Sequence, residues 1–92
     1  MLTGFVLISA EPSRIAGLSE ELAAIDGVSE VYSVTGEWDV VAVVRVRAHE
    51  RLADVVTIEI ANLEGIRRTE TMVAFRAYSR HDLDAAFALG AE

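Results

Sequence analysis

The chain has 92 residues, 52% hydrophobic and 25% charged, a composition that folds as one domain and leaves no room for two. Eight arginines and no lysine against fifteen carboxylates give a formal charge of −7. That balance disfavours direct nucleic-acid binding, which needs clustered basic side chains. The absence of cysteine excludes disulfide scaffolds, thiolate zinc sites, iron–sulfur clusters and cysteine nucleophiles.

The start, Met1-Leu2-Thr3-Gly4-Phe5, has neither a basic n-region nor a cleavage site, so no signal peptide is expected. Apolar runs such as 40–44 fall far short of the roughly 20 residues that span a bilayer, and a soluble, cytoplasmic protein without a membrane partner is expected. Residues 2–10 read as a first strand. Glu11-Pro12-Ser13 breaks it, and Pro12 or Ser13 opens a helix with Ile15, Leu18, Leu22 and Ile25 on one face, while Glu20 and Glu21 point away. A second strand is expected over 28–35, a turn at Gly36-Glu37, and a third strand over 38–46.

The next element pulls two ways. Leu52, Val55, Val56, Ile60 and Leu63 share a helical face over 49–62, yet Val56-Thr57-Ile58-Glu59-Ile60 alternates like a strand and is rich in β-branched residues. An internal repeat favours helix. Ile25-Asp26-Gly27-Val28 and Leu63-Glu64-Gly65-Ile66 share one pattern, each Gly just past a helical stretch and before a β-rich run. A fourth strand is expected over 67–78, and Ser79 is placed to cap a short last helix with Leu83, Ala86 and Phe87 on its apolar side. The order βαββαβ plus a terminal helix is the ferredoxin-like α+β plan, two helices on one face of a four-stranded antiparallel sheet.

Such a sheet, with water on its second face, should alternate apolar and polar residues. These strands do not. Val40, Ala42, Val44 and Val46 oppose Val41 and Val43; Phe5 and Leu7 oppose Val6 and Ile8; Met72 and Ala74 oppose Val73 and Phe75. Two helices cover one face only, and the other would expose more apolar surface than soluble monomers tolerate. Face-to-face packing of two copies, a dimeric α/β barrel, is the economical solution.

Few residues invite chemistry. His49 and His81 lack metal-ligand spacing and read as solvated helix-end histidines, so no metal, cofactor or catalytic residue is assigned. Arg67, Arg68 and Arg76, with Arg45 and Arg47, have acidic neighbours and no interleaved aromatics, which points to ion pairing. Thr35-Gly36-Glu37-Trp38-Asp39 is polar at the mouth of an apolar strand. Asp39 either caps the turn structurally or, with the turn's N–H groups and Trp38, receives a small zwitterion: carboxylate to ammonium, N–H groups to carboxylate, indole to side chain. Thr69 and Thr71 are placed to add hydroxyls.

The segment Val31-Tyr32-Ser33-Val34-Thr35-Gly36-Glu37-Trp38-Asp39, followed by valines, and Leu63-Glu64-Gly65-Ile66 with Thr69-Glu70-Thr71, resembles the effector-binding (RAM) domain of Lrp/AsnC-type transcription regulators across essentially the whole chain. The resemblance implies sheet-mediated homodimers assembling further into dimers of dimers, octamers or rings. It also implies an amino-acid effector held between dimers near Gly36, Glu37, Trp38 and Asp39, with Tyr32, Thr69 and Thr71 as weaker carry-overs. Because the fourth strand begins at the sheet edge opposite the second hairpin, Thr69 is expected to meet Asp39 only across subunits. Residues 1–92 read as a single ligand-binding domain without the helix-turn-helix of full-length regulators, so co-assembly with such relatives is a further expectation. Two other readings stay open: a small dimeric α/β-barrel enzyme of the cofactor-free monooxygenase or isomerase type, and a purely structural assembly partner.

Overall fold

A computed structural model describes residues 1–80. Strand β1 (Leu2–Ala10) leads through a 3₁₀ turn (Pro12–Arg14) into helix α1 (Ile15–Ala23), followed by β2 (Val28–Ser33) and β3 (Val40–Val46). Helix α2 (His49–Asp54) continues as a π-helical segment (Val55–Ile60), and β4 (Ile66–Val73) closes the fold. The sheet order is β2-β3-β1-β4 with every neighbouring pair antiparallel. This is the ferredoxin-like arrangement. The expected terminal helix, with Leu83, Ala86, Phe87 and the adjoining His81, lies outside the described residues.

The two central strands are the most apolar, and their even-numbered side chains form the core. Val6, Ile8 and Ala10 of β1 and Val40, Ala42, Val44 and Val46 of β3 are buried against Leu18 and Leu22 of α1, Leu52 of α2, and Val55 and Ile60. Full burial of a Leu or Ile side chain contributes about 1.5–3 kcal/mol, so this one layer supplies most of the driving force. Pro12 sets the entry to α1, and Ser19, polar within the helix, donates to the Ile15 carbonyl at 2.7 Å.

The repeat is real in the backbone. Gly27 and Gly65 have φ of +103° and +91°, the left-handed conformation expected just past a helix. At Gly27 space is restricted as well: a Cβ would lie 3.0 Å from Val46 Cγ1.

The boundaries differ from expectation at three places. Strand β2 stops at Ser33 and β3 starts at Val40, because the intervening chain turns away; the Val34 N–H donates to the Asp39 carbonyl at 2.9 Å and closes that loop. Strand β4 ends at Val73, with one last rung from the Ala74 N–H to the Thr3 carbonyl at 2.9 Å, so the expected extension to 78 is not strand. The helix expected over 49–62 is α only to Asp54 and π beyond it.

The sheet's second face carries no helix among the described residues. Register places Phe5 between Val43 and Met72, and Leu7 between Val41 and Glu70, on this face. The apolar band is therefore central, while the margins are polar: Glu30 on β2, Arg68 and Glu70 on β4. Met72 is 50% exposed and Tyr32 49% exposed at the two sides of the band.

Candidate functional site at the β2–β3 turn

The turn is built on Gly36, whose φ of +104° an L side chain rarely adopts and whose missing Cβ would meet nothing within 4 Å. Its surroundings are open. Asp39 then fastens the turn to the end of β1. Its carbonyl accepts from Val34, its N–H donates to the Ile8 carbonyl at 2.9 Å, and its Oδ2 accepts from the Ala10 N–H at 2.9 Å. The register of β1 against β4 slips between Ser9 and Ala10, and the carboxylate takes up the Ala10 donor at that irregularity.

Two residues between Gly36 and Asp39 reach across the end of β1. Glu37 Oε1 lies 3.0 Å from Arg68 Nη2, and the Arg68 guanidinium carbon sits 4.5 Å over the Trp38 ring. Arg68 faces away from the helices, opposite Ser9. Beside it, Arg67 makes a two-pronged contact with Glu11, Nε to Oε1 at 3.1 Å and Nη2 to Oε2 at 2.8 Å. Those bonds to Glu11, with the charges of Glu11 and Asp39, hold the Arg67 guanidinium above its ordinary range. At this end of the sheet the carboxylates of Glu11 and Glu37 are thus paired with the guanidiniums of Arg67 and Arg68, the latter also lying over the half-buried indole.

The structure brings Glu37, Trp38 and Asp39 together on Gly36's turn and adds Arg68. The other sequence-derived residues sit elsewhere in the subunit. Tyr32 belongs to a separate cluster on β2: its phenol donates to the Glu30 carboxylate, which also lies 3.0 Å from Arg45 Nη1. The bonds from Tyr32 and then Arg45 hold the Glu30 carboxyl below its usual range, and the same Glu30 pushes the Tyr32 phenol up. Thr69 and Thr71 are exposed, and their partners Ile8 and Val6 put them on the helix-side face, opposite to Arg68.

The start of β4 does reach the turn within one chain, through a residue the sequence reading did not assign to the site: Arg68 meets Glu37 and Trp38, because β4 adjoins β1 and Asp39 ties the turn to the end of β1. The ion pairing read from the arginines does occur, at Arg45–Glu30, Arg67–Glu11 and Arg68–Glu37. Its partners lie far off in sequence, so neighbouring Glu64 and Glu70 gave no hint of them.

Two open clefts, of about 370 and 410 Å³, lie at the other end of the sheet. Arg45, Arg47 and Arg51 line the first; Thr3, Phe5, Arg45 and Phe75 line the second, and no turn residue touches either. Among the described residues no group of three or more His, Asp or Glu side chains could hold a metal ion. None of the described helices is long and apolar enough to cross a membrane.

Residues 3–83 match the family model of the Lrp/AsnC ligand binding domain. Over 78 residues the chain is 38% identical to an uncharacterized HTH-type transcriptional regulator of Pyrococcus furiosus, covering 79% of this chain and 51% of that protein. It thus spans about half the length of the regulators it matches. The crystal structure of TTHA0845 from Thermus thermophilus superposes with a TM-score of 0.82 at 54% identity, covering 87% of this chain and all of that one. The transcriptional regulator NMB0573 of Neisseria meningitidis, solved as a complex with L-Met, shares the fold at a TM-score of 0.76 and 12% identity, covering 86% of this chain and 53% of that one.

Proposed function

The chain belongs to the Lrp/AsnC ligand-binding domain family, and from that premise we propose that it takes up an amino acid or a closely related zwitterion at the 36–39 turn. The family is one of effector-binding regulatory modules, and the relatives matched are transcriptional regulators. The observation that carries the reading is the grouping of the Asp39 carboxylate, the Trp38 indole and the Arg68 guanidinium on one patch at the rim of the apolar sheet face. A zwitterion with an apolar side chain needs those three kinds of contact. The L-Met complex of the Neisseria regulator supports the ligand class.

In this reading the module is non-catalytic, cytoplasmic and cofactor-free. It forms homodimers through the bare sheet face, with dimers joining into larger assemblies and full-length relatives as further partners. Tyr32, Thr69 and Thr71 contribute to the effector site only where a second subunit brings them to the turn.

Isothermal titration against the twenty amino acids tests the reading. At least one should bind, and Asp39→Ala should abolish that binding while native mass spectrometry still records the dimer. Unchanged affinity in Asp39→Ala would remove the residue from the site. No heat and no thermal shift with any amino acid would leave the purely structural role as the better account.

A further inference from the structure

We infer that Arg68 is the residue that selects for a carboxylate on the effector, and that Glu37 is a built-in stand-in which that carboxylate displaces. This rests on the reading of the turn as the effector site. Two neighbouring arginines on β4 make the case by contrast. Arg67 is saturated on one edge by both oxygens of Glu11, at 3.1 and 2.8 Å. Arg68 meets Glu37 through a single bond, Nη2 to Oε1 at 3.0 Å, so half of its fork toward a carboxylate is not engaged by that partner.

The two arginines are also held differently. The Trp38 ring lies 4.5 Å from the Arg68 guanidinium carbon, a cation–π contact that restrains the side chain without using its N–H donors. Glu37, in contrast, is loosely placed. Its side chain is 71% exposed, and an exposed pair joined by one bond contributes little. A free carboxylate that meets both prongs of a pre-oriented guanidinium makes a stronger, directional contact, and it replaces like with like.

Asp39 uses Oδ2 on the Ala10 N–H, and its second carboxylate oxygen is in this proposal the acceptor for the ammonium of a zwitterion whose carboxylate meets Arg68. Ligands bearing a carboxylate thus gain the Arg68 contact at the small cost of displacing Glu37, while simple amines gain nothing from it.

The test compares wild type, Arg68→Gln, Arg68→Lys and Glu37→Gln by titration calorimetry. The probes are whichever of the twenty amino acids binds wild type best, and the same amino acid as its carboxamide. Arg68→Gln should weaken the amino acid by about tenfold or more, the value of one charge-assisted pair, and bring it level with the carboxamide. Arg68→Lys should recover only part of that loss, because an ammonium offers no planar fork. Glu37→Gln should tighten the amino acid about two- to fivefold by removing its competitor. If wild type binds an amino acid and folded Arg68→Gln and Arg68→Lys both bind it within twofold of wild type, the inference is overturned while the effector reading stands. If no amino acid binds wild type, both fall together.

Discussion

The Asp39 carboxylate accepts the Ala10 N–H at 2.9 Å, so removing it leaves a half-buried backbone donor without that partner. Loss of a charge-assisted bond of this kind costs about 1–2 kcal/mol. Asp39→Ala should therefore lower stability by that amount in urea or thermal unfolding. Asp39→Asn retains an acceptor oxygen and should recover at least half of the loss. The two variants separate the roles: if the charge receives an ammonium, Asp39→Asn folds nearly as wild type and still fails to bind. A destabilisation below about 0.5 kcal/mol in Asp39→Ala would deny the carboxylate its part in holding the turn. The residue types were legible in the sequence, since a polar stretch stood at the mouth of an apolar strand. Its partners were not. Ala10 and Arg68 are 29 and 29 residues away on either side of Asp39, and only the pairing of β1 with both β3 and β4 brings all three together.

At the level of elements, the stretch after Asp54 shows what the sequence could and could not announce. Its β-branched run conflicts with α-helix, while the repeat demands a helix there. The outcome is a π-helical segment in which Val55 and Ile60, five residues apart, are both essentially fully buried. Bonding from i to i+5 widens the turn and brings residues at that spacing toward one face, which an α-helix of 3.6 residues per turn does not. Thr57 is exposed on this segment, and its hydroxyl donates back to the Ala53 carbonyl at 2.7 Å, a contact that favours bending over regular helix. Thr57→Ala should stabilise the protein by about 0.5 kcal/mol, read as a small rise in melting temperature. A fall of similar size would mean that the back-bond supports the π register. Local propensity exposed the conflict, and only the burial of Val55 and Ile60 against the sheet resolves it.

For the whole molecule the governing feature is the unequal treatment of the two sheet faces. On β1 and β3 both sets of side chains are apolar, and one set lies under the helices while Phe5, Leu7, Val41 and Val43 line the other face. On β2 and β4 that face turns polar at Glu30, Arg68 and Glu70, so the apolar band has charged margins. This is how an interface core with a polar rim is laid out. The sequence disclosed the two-faced strands because alternation fails on them outright. It did not disclose the rim, because Arg68, Arg45 and Glu30 acquire meaning only from cross-strand register. Leu7 is central to the band, with Val41 on one side and Glu70 on the other. It is half-buried and outside the helix-side core, so Leu7→Glu leaves the packing under α1 and α2 intact. It places a second carboxylate beside Glu70 and a charge in the apolar band, which two facing copies would have to bury without a partner. Native mass spectrometry at micromolar concentration should show wild type at about 20 kDa or a multiple of it, twice the 10.0 kDa chain or more, and Leu7→Glu at the mass of one chain with its circular dichroism retained. A wild type that remains a stable single chain, or a variant that still pairs as tightly, would show that the bare face is not where two copies meet.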